Sequence, residues 1–196
     1  MRALAVLAMV SPVDAADEGS GAIQAARAGD LAAFEILIRR YERLVLSVAL
    51  RLTGNLEDAQ DASQEVFLKL YKNLHKVEAA HNFSGWLYRV TVNVCHDLRK
   101  KRPSDLDVEH AGEISAGGAD PQQRAAEEER RRVLALSLRM LPEKERAALV
   151  LRDLEGLSTA EVARALGSTE ATVRSQVSKA RVKVKDFMER YFRRRS

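Results

Sequence analysis

The segment "EATVRSQVSKAR" (170–181) combines basic side chains and small hydroxyls at helical spacing. On a helix of 3.6 residues per turn, Ser175, Ser178 and Lys179 share one side, and Arg174 flanks it. Arginine can donate two hydrogen bonds to the edge of guanine, and serine and lysine can contact bases or phosphates. This side therefore has the chemistry of a DNA-binding surface, although an ordinary helical hairpin with a solvated charged face would show the same residue types.

The opposite side of this helix is apolar and is the predicted core face, made by Val173, Val177, Ala180, Val184 and Phe187. The preceding segment "STAEVARAL" (158–166) starts with Ser158 and Glu161 at capping-box spacing, and Gly167 follows it. A short capped helix, a glycine turn and a second helix form a helix-turn-helix, whose second helix lies in the DNA major groove. The basic tail (193–196) adds charge that can neutralise phosphates.

A group of acidic residues lies on one side of the helix predicted over 56–74: Asp58, Asp61 and Glu65, with Gln64 beside them. Paired carboxylates can act as a general acid and base, but no nucleophile or orienting histidine lies near them in the sequence. The same group would also suit a solvated acidic face. The residues alone leave these two interpretations open.

Four residues could be considered as zinc ligands: His75, His81, Cys95 and His96. Their spacings match no standard zinc site, and adjacent residues on a helix point apart. Cys95 is the single cysteine, so no intrachain disulfide can form. The chain also has no Gly-rich phosphate loop and no hydrolase motif, so we expect no metal, no cofactor and no enzymatic activity.

Apolar residues recur at 3–4 residue spacing and predict an all-α fold. The predicted helices cover 30–53, 56–74, 83–102, a segment from about 123, 142–155, 158–166 and 169–192. The helix over 83–102 has Trp86, Val90, Val94 and Leu98 in line as its inner side, and 75–82 is a predicted loop.

The pattern divides into two small helical domains joined by a flexible linker, which has few large apolar residues, little periodicity, a Gly-Gly pair and a Pro. The predicted boundaries are an N-terminal leader at 1–22, a first domain at 23–102, a linker at 103–124, a second domain at 125–192 and the basic tail.

The leader begins "MRALAVLAMVSPVDAAD", with a basic residue, an apolar run and a small-residue pattern that together resemble a weak secretory signal. A frayed leader, or translation from Met9, would account for it equally well. No apolar run approaches the roughly 18 residues of a membrane span, so we expect no insertion into a membrane.

Three longer segments bear a specific resemblance to a known family. "LPEKERAALVLRDLEGLSTAEVARALGSTEATVRSQVSKAR" resembles region four of bacterial sigma factors. "NLEDAQDASQEVFLKLYKNL" followed by "FSGWLYRVTVNVCHDLRKKR" resembles region two of the extracytoplasmic-function group. The resemblance implies a cytoplasmic sigma factor that binds core RNA polymerase, directs promoter-specific transcription initiation, helps to melt the downstream element and catalyses nothing itself.

The resemblance also implies roles for individual residues. The upstream (−35) element would be bound by Thr172, Arg174, Ser175, Ser178, Lys179 and Arg181. The downstream (−10) element would be bound by His81, Asn82, Trp86, Tyr88, Arg89, Asn93, Arg99 and Lys100, with Trp86 also a candidate for the core. Core polymerase would be bound by Asp58, Asp61, Gln64 and Glu65, at the coiled coil of its clamp, with the flap as a further contact. An anti-sigma factor is an expected further partner.

Two other classes of function remain as alternatives. The first is a helix-turn-helix transcriptional regulator whose first domain senses a ligand or dimerises. The acidic face and the basic, aromatic third helix suit neither a ligand pocket nor an apolar dimer face. The second is a secreted enzyme, which depends on the leader alone.

Overall fold

The computed structural model of the chain describes residues 19–76, 83–101 and 121–194. Within these residues the secondary structure is helical and contains no β-strand, which confirms the all-α prediction. The helices are α1 (Gly19–Arg27), α2 (Leu31–Thr53), α3 (Leu56–Asn73), α4 (Phe83–Lys101), α5 (Pro121–Arg139), α6 (Glu143–Leu149), α7 (Thr159–Leu166) and α8 (Glu170–Arg193). A 3₁₀ turn, Leu74–Lys76, follows α3, and a π-helical turn, Val150–Leu154, continues α6.

Helices α1 to α4 form the first domain, and local signals define their ends. Asp30 caps α2, because its carboxylate accepts hydrogen bonds from the backbone N–H groups of Ala32 and Ala33 at 2.9 and 3.1 Å. Gly54 ends α2 with a φ of 86°, a left-handed conformation that glycine adopts without strain. The first domain also includes α1, which begins at Gly19 and buries Ile23.

The inner side of α4 differs from the predicted stripe. Of the four predicted residues only Val94 is fully buried, whereas Trp86, Val90 and Leu98 pack at the margin of the core. The buried positions are Phe83, Leu87, Tyr88, Thr91, Val94 and Cys95. This set is wider than a one-sided stripe because α4 is covered by α2 and α3 on one side and by α7 on another.

Helices α5 to α8 form the second domain. The predicted core face of α8 is confirmed, with Val173, Val177, Ala180 and Val184 buried, and Phe187 is partly buried. Two ion pairs with partly buried carboxylates join α8 to the rest of the domain. Lys183 Nζ lies 2.8 Å from Glu145 of α6, and Arg181 pairs with Asp153 of the π-helical turn.

The two domains contact each other directly, in addition to being joined by the intervening segment. The C-terminal part of α2 touches α5, α6 and the π-helical turn, and α4 touches α7. The buried apolar side chains of both domains form one continuous cluster. The helical periodicity of the sequence predicts the helices of each domain but not how the domains pack, so this contact is known only from the structure.

Candidate nucleic-acid and polymerase interfaces

Side-chain caps mark the starts of both helices of the helix-turn-helix, α7 and α8. The Ser158 hydroxyl accepts from the backbone N–H of Glu161 at 3.2 Å, and the backbone N–H of Ser158 donates to the Glu161 carboxylate at 2.7 Å. Hydrogen bonds from the side chain and backbone of Ser158 lower the pKa of Glu161. Gly167 ends α7 with a φ of 58°, and Thr169 caps α8. These local signals build the helix-turn-helix that the sequence predicts.

The six side chains predicted to bind the upstream element are all exposed on α8: Thr172, Arg174, Ser175, Ser178, Lys179 and Arg181. They differ in how they are held. Arg174 lies 3.3 Å from Glu170 in an exposed pair. Arg181 donates from Nε and Nη2 to the two carboxylate oxygens of Asp153 at 2.8 and 2.6 Å. Arg174 is therefore available to a ligand, whereas Arg181 is already engaged.

A groove beside α8 contains two residues that sequence reasoning missed, Arg152 and Thr159, which line it together with Arg174, Ser178 and Arg181. Arg152 donates to the carbonyl oxygen of Leu157 at 3.1 Å, so its guanidinium is oriented toward the turn before α7. A signal was available for Thr159, because the first turn of the first helix in a helix-turn-helix crosses the DNA backbone.

Helix α4 presents only part of its predicted DNA-binding set to solvent. Arg89, Asn93 and Lys100 are exposed, and Trp86 and Arg99 are half-buried. His81 and Asn82 lie outside the described residues.

Tyr88, which the resemblance assigns to the downstream element, is covered in this structure and is not an exposed aromatic. The residue is 8% exposed, and its hydroxyl lies 3.3 Å from Glu155 of the second domain. Burial, and then the charge of Glu155, raise the pKa of Tyr88. Tyr88 is covered because α4 packs against the second domain, a contact that the helical pattern of α4 does not contain.

The acidic face of α3 has two kinds of member. Asp58 is half-buried and accepts from the Asn55 side-chain amide at 2.7 Å, so it helps to cap the start of α3. Gln64 and Glu65 are exposed, and Asp61 is half-buried between them and Asp58 along the helix. The face continues into exposed apolar side chains, Leu68 and Tyr71, which sequence reasoning missed although they follow Glu65 at helical spacing.

Three of the four residues considered as metal ligands, His75, Cys95 and His96, are described, whereas His81 lies outside the described residues. Cys95 is buried, and His96 faces Glu143 at 3.4 Å. Across the described ranges, no three His, Cys, Asp or Glu side chains are grouped so that they could hold a metal ion. Within the same ranges, no helix has the length and apolar character needed to cross a bilayer.

The fold and the helix-turn-helix define an all-helical, two-domain DNA-binding protein. The family model for Sigma-70 region 2 matches residues 37–103, and that for Sigma-70, region 4 matches residues 131–184. The chain is 32% identical over 190 residues to the ECF RNA polymerase sigma factor SigE of Mycolicibacterium smegmatis, covering 91% of this chain and 72% of that one. It is also 32% identical over 182 residues to the ECF RNA polymerase sigma-E factor of Escherichia coli, covering 88% of this chain and 95% of that one.

Two solved structures share the fold. One is CnrH in complex with the cytosolic domain of CnrY, with a TM-score of 0.66 and 22% identity over 88% of this chain and 98% of that one. The other is RpoE from Bartonella quintana in complex with the anti-sigma factor NepR, with a TM-score of 0.66 and 20% identity over 80% of this chain and 96% of that one.

The chain belongs to the extracytoplasmic-function (ECF) sigma factors of bacterial RNA polymerase. Its function is promoter-specific initiation of transcription with RNA polymerase, and sigma factors as a family are not enzymes. The alternative of a ligand-sensing or dimerising regulator is not favoured, because the first domain is itself a sigma region.

Proposed function

We propose that this sigma factor divides its work between three helices: α8 binds the upstream element, α4 the melted downstream element and α3 the polymerase. The proposed boundaries are a leader at 1–22, a region-two domain at 23–102, a linker at 103–124, a region-four domain at 125–192 and a basic tail at 193–196. Helix α1 begins four residues before the first domain boundary, at Gly19, and α5 begins four residues before the second, at Pro121. The observation that carries the proposal is the outer side of α8, where all six predicted contact residues are exposed while the valine stripe is buried.

Base readout is assigned to the N-terminal half of α8. Small side chains at Ser175 and Ser178 let the helix backbone approach the base edges, and Arg174 reaches outward beside them. Arg152 and Thr159 across the groove are suited to the flanking phosphates. In this arrangement α8 contacts the bases, and the side chains across the groove contact phosphates and so position the second domain on the DNA.

The downstream strand is assigned to α4. Arg89, Asn93 and Lys100 are exposed along α4, and Trp86 offers part of its ring for stacking at the margin of the core. Single-stranded DNA is bound by such combinations of cations and aromatic rings. Extruding one base costs a few kcal/mol of stacking, which these contacts and those of His81 and Asn82 would have to offset.

Polymerase binding is assigned to α3, where Glu65 and Asp61 are joined by the exposed apolar side chains of Leu68 and Tyr71. Acidic groups would set orientation and association rate against the basic coiled coil of the clamp. The apolar pair supplies area that becomes buried on docking. The second domain would contact the flap. We further propose an anti-sigma factor as partner and the cytoplasm as the site of action.

Run-off transcription with purified core polymerase tests this function. We expect a promoter-specific transcript only when the chain is added, and a strongly reduced transcript with Arg174→Ala. The matched control is Arg130→Ala, which removes an exposed arginine on α5, away from the groove. A chain that acts only on a polymerase already carrying another sigma factor would contradict the proposal and support the regulator.

A further inference from the structure

An acidic residue lies at the start of the helix that is proposed to bind the upstream element. Glu170 is the first residue of α8, and its side chain is 50% exposed. Its Oε2 accepts a hydrogen bond from Nη1 of Arg174 at 3.3 Å, one turn further along the helix. Among the described residues, Arg174 is the only partner of this carboxylate. The predicted DNA contacts of α8 are basic or hydroxyl groups, so a carboxylate beside them requires an explanation.

The carboxylate of Glu170 is not needed to begin the helix. The hydroxyl of Thr169 caps α8 by accepting from the backbone N–H of Thr172 at 3.2 Å, and the two hydroxyls lie 2.9 Å apart. In a capping box the acidic residue stands three positions after the cap, and Thr172 occupies that position here. The helix dipole favours an acid anywhere in the first turn and does not select this position. The role of Glu170 therefore lies outside the protein's own fold.

The position of Glu170 directs its carboxylate toward DNA bases. In a helix-turn-helix, the N-terminal residues of the second helix contact the base edges in the major groove. Glu170 and Arg174 are four residues apart and so share one side of α8, and Arg174 lines the groove with Arg152 and Ser178. In the major groove this carboxylate would lie between two rows of phosphates. The phosphates repel it, so Glu170 disfavours every sequence that does not offer it a hydrogen-bond donor.

The major groove offers a carboxylate only two kinds of donor, N4 of cytosine and N6 of adenine. Adenine also presents N7, an acceptor, beside its donor, whereas cytosine presents its donor without an acceptor next to it. An ionised carboxylate has only acceptor oxygens, so cytosine matches it and N7 of adenine repels it. A side-chain amide has both a donor and an acceptor and therefore matches adenine instead.

Binding of a guanine by Arg174 would release Glu170 for such a contact. The two side chains pair with each other in the free protein. When Arg174 donates to O6 and N7 of guanine, Glu170 loses its partner and needs another donor. Residues four apart on a helix are separated by about 6 Å along its axis, and neighbouring base pairs by about 3.4 Å. The cytosine would therefore lie within about two base pairs of that guanine.

We infer that Glu170 is a specificity-determining residue whose carboxylate accepts a hydrogen bond from N4 of a cytosine in the upstream element. The cytosine lies within about two base pairs of the guanine that Arg174 contacts. This contact rests on the proposed function, because it requires α8 to lie in the major groove. It adds a base identity to that function and a residue that is not among the six predicted contacts.

The test uses the holoenzyme formed by the full-length chain and purified core polymerase. The wild-type holoenzyme first selects promoters from a library of random duplex DNA, and the upstream element of one selected promoter is then randomised. Bound sequences from this second library are counted for the wild type, Glu170→Ala and Glu170→Gln. The matched control is Glu189→Ala, which removes a carboxylate of similar exposure (54%) near the other end of α8, paired with Lys185 four residues away at 3.7 Å. Circular dichroism melts establish that each variant is folded.

We expect the wild type to prefer cytosine at one position of the upstream element by about fivefold or more. Glu170→Ala should remove this preference and leave the other positions unchanged. Glu170→Gln should replace cytosine by adenine at the same position, because an amide can bond to both N6 and N7 of adenine. Glu189→Ala should keep the wild-type preferences. A residue that only stabilised α8 would change no base preference when replaced.

A cytosine preference that persists in Glu170→Ala would overturn the contact. An equal change at every position would overturn it too, because Glu170 would then only repel phosphates. The same loss of preference in Glu189→Ala would show that the effect is not local to Glu170. Failure of the proposed function is distinguishable, because Arg174→Ala would then leave all preferences unchanged, whereas failure of the Glu170 contact alone leaves the effect of Arg174→Ala in place.

Discussion

Arg174 and Arg181 have the same side-chain chemistry and lie on the same helix, but the structure predicts opposite outcomes for their replacement. The side chain of Arg174 is 65% exposed, and its neighbour Glu170 is an exposed partner one turn away. Arg181 has two hydrogen bonds to Asp153, whose side chain is only 8% exposed. The acidic partner of each arginine therefore decides whether that arginine is available to contact a base.

The magnitudes follow from these two environments. An exposed i,i+4 ion pair contributes about 0.3–0.5 kcal/mol, whereas a bidentate contact with guanine discriminates by about 1–3 kcal/mol. Arg174 can therefore leave Glu170 with a net gain, and Arg174→Ala should weaken binding by about 1–3 kcal/mol at one base pair. Releasing Arg181 would leave the Asp153 carboxylate without its partner at a cost of about 1–3 kcal/mol, which cancels any base contact. Arg181→Ala should lower the free energy of unfolding and leave base preference unchanged.

Fluorescence anisotropy can separate these outcomes on a panel of single-base variants of the upstream element, at two salt concentrations, with urea unfolding measured in parallel. A phosphate contact weakens binding to every variant alike and lowers the salt dependence, whereas a base contact relaxes preference at one position. A uniform loss with Arg174→Ala would make Arg174 a phosphate contact. A loss of preference at one base pair with Arg181→Ala would refute the assignment of Arg181 to structure.

Three further predictions address other parts of the molecule. Reversing charge at Asp61 and Glu65 (both to Lys) should weaken core-polymerase binding in a pull-down and leave duplex binding to the upstream element intact; unchanged core affinity would make this face merely solvated. Arg146→Ala should lower the free energy of unfolding by about 3–5 kcal/mol in urea titration, because the buried or partly buried carbonyl groups of Leu52, Arg139 and Leu141 lose a charged donor, and a loss below about 1 kcal/mol would contradict these contacts. Burial raises the pKa of Cys95 from its ordinary value near 9 to about 12, so ionisation of the thiol favours forms in which it is exposed. The stability of the folded chain should therefore be independent of this group below about pH 9 and should decline above it. Denaturant titrations between about pH 8 and 11 can measure this decline, with Cys95→Ser as the comparison.

The helices and their inner sides were largely predictable from the sequence because each depends on local signals. The valines of α8 recur at helical spacing, and Ser158 with Glu161 marks the start of α7 at capping-box spacing. Each of these patterns involves residues of a single segment, so it can be recognised without knowing how the segments pack together.

The surface of α4 could not be predicted in the same way. Whether Tyr88 is exposed depends on Glu155, which lies 67 residues away in the sequence. Arg181 could likewise not be separated from Arg174 without Asp153, 28 residues earlier, because both arginines suit DNA equally well in isolation. Local periodicity gives the orientation of a side chain about its own helix, and it carries no information about what another domain places over it.

The domain contact also bears on the construction of chimaeric sigma factors. Arg146 binds a backbone carbonyl at Leu52, which any residue at that position would present. Glu155 instead requires an arginine at position 51 and a hydroxyl at position 88. A second domain transplanted between relatives would keep the first kind of contact wherever it brings its own arginine, but would keep the second only if the recipient supplies both matching side chains. Exchange of domains should therefore alter the stability of the contact between the domains of a hybrid even when its helix-turn-helix is unchanged.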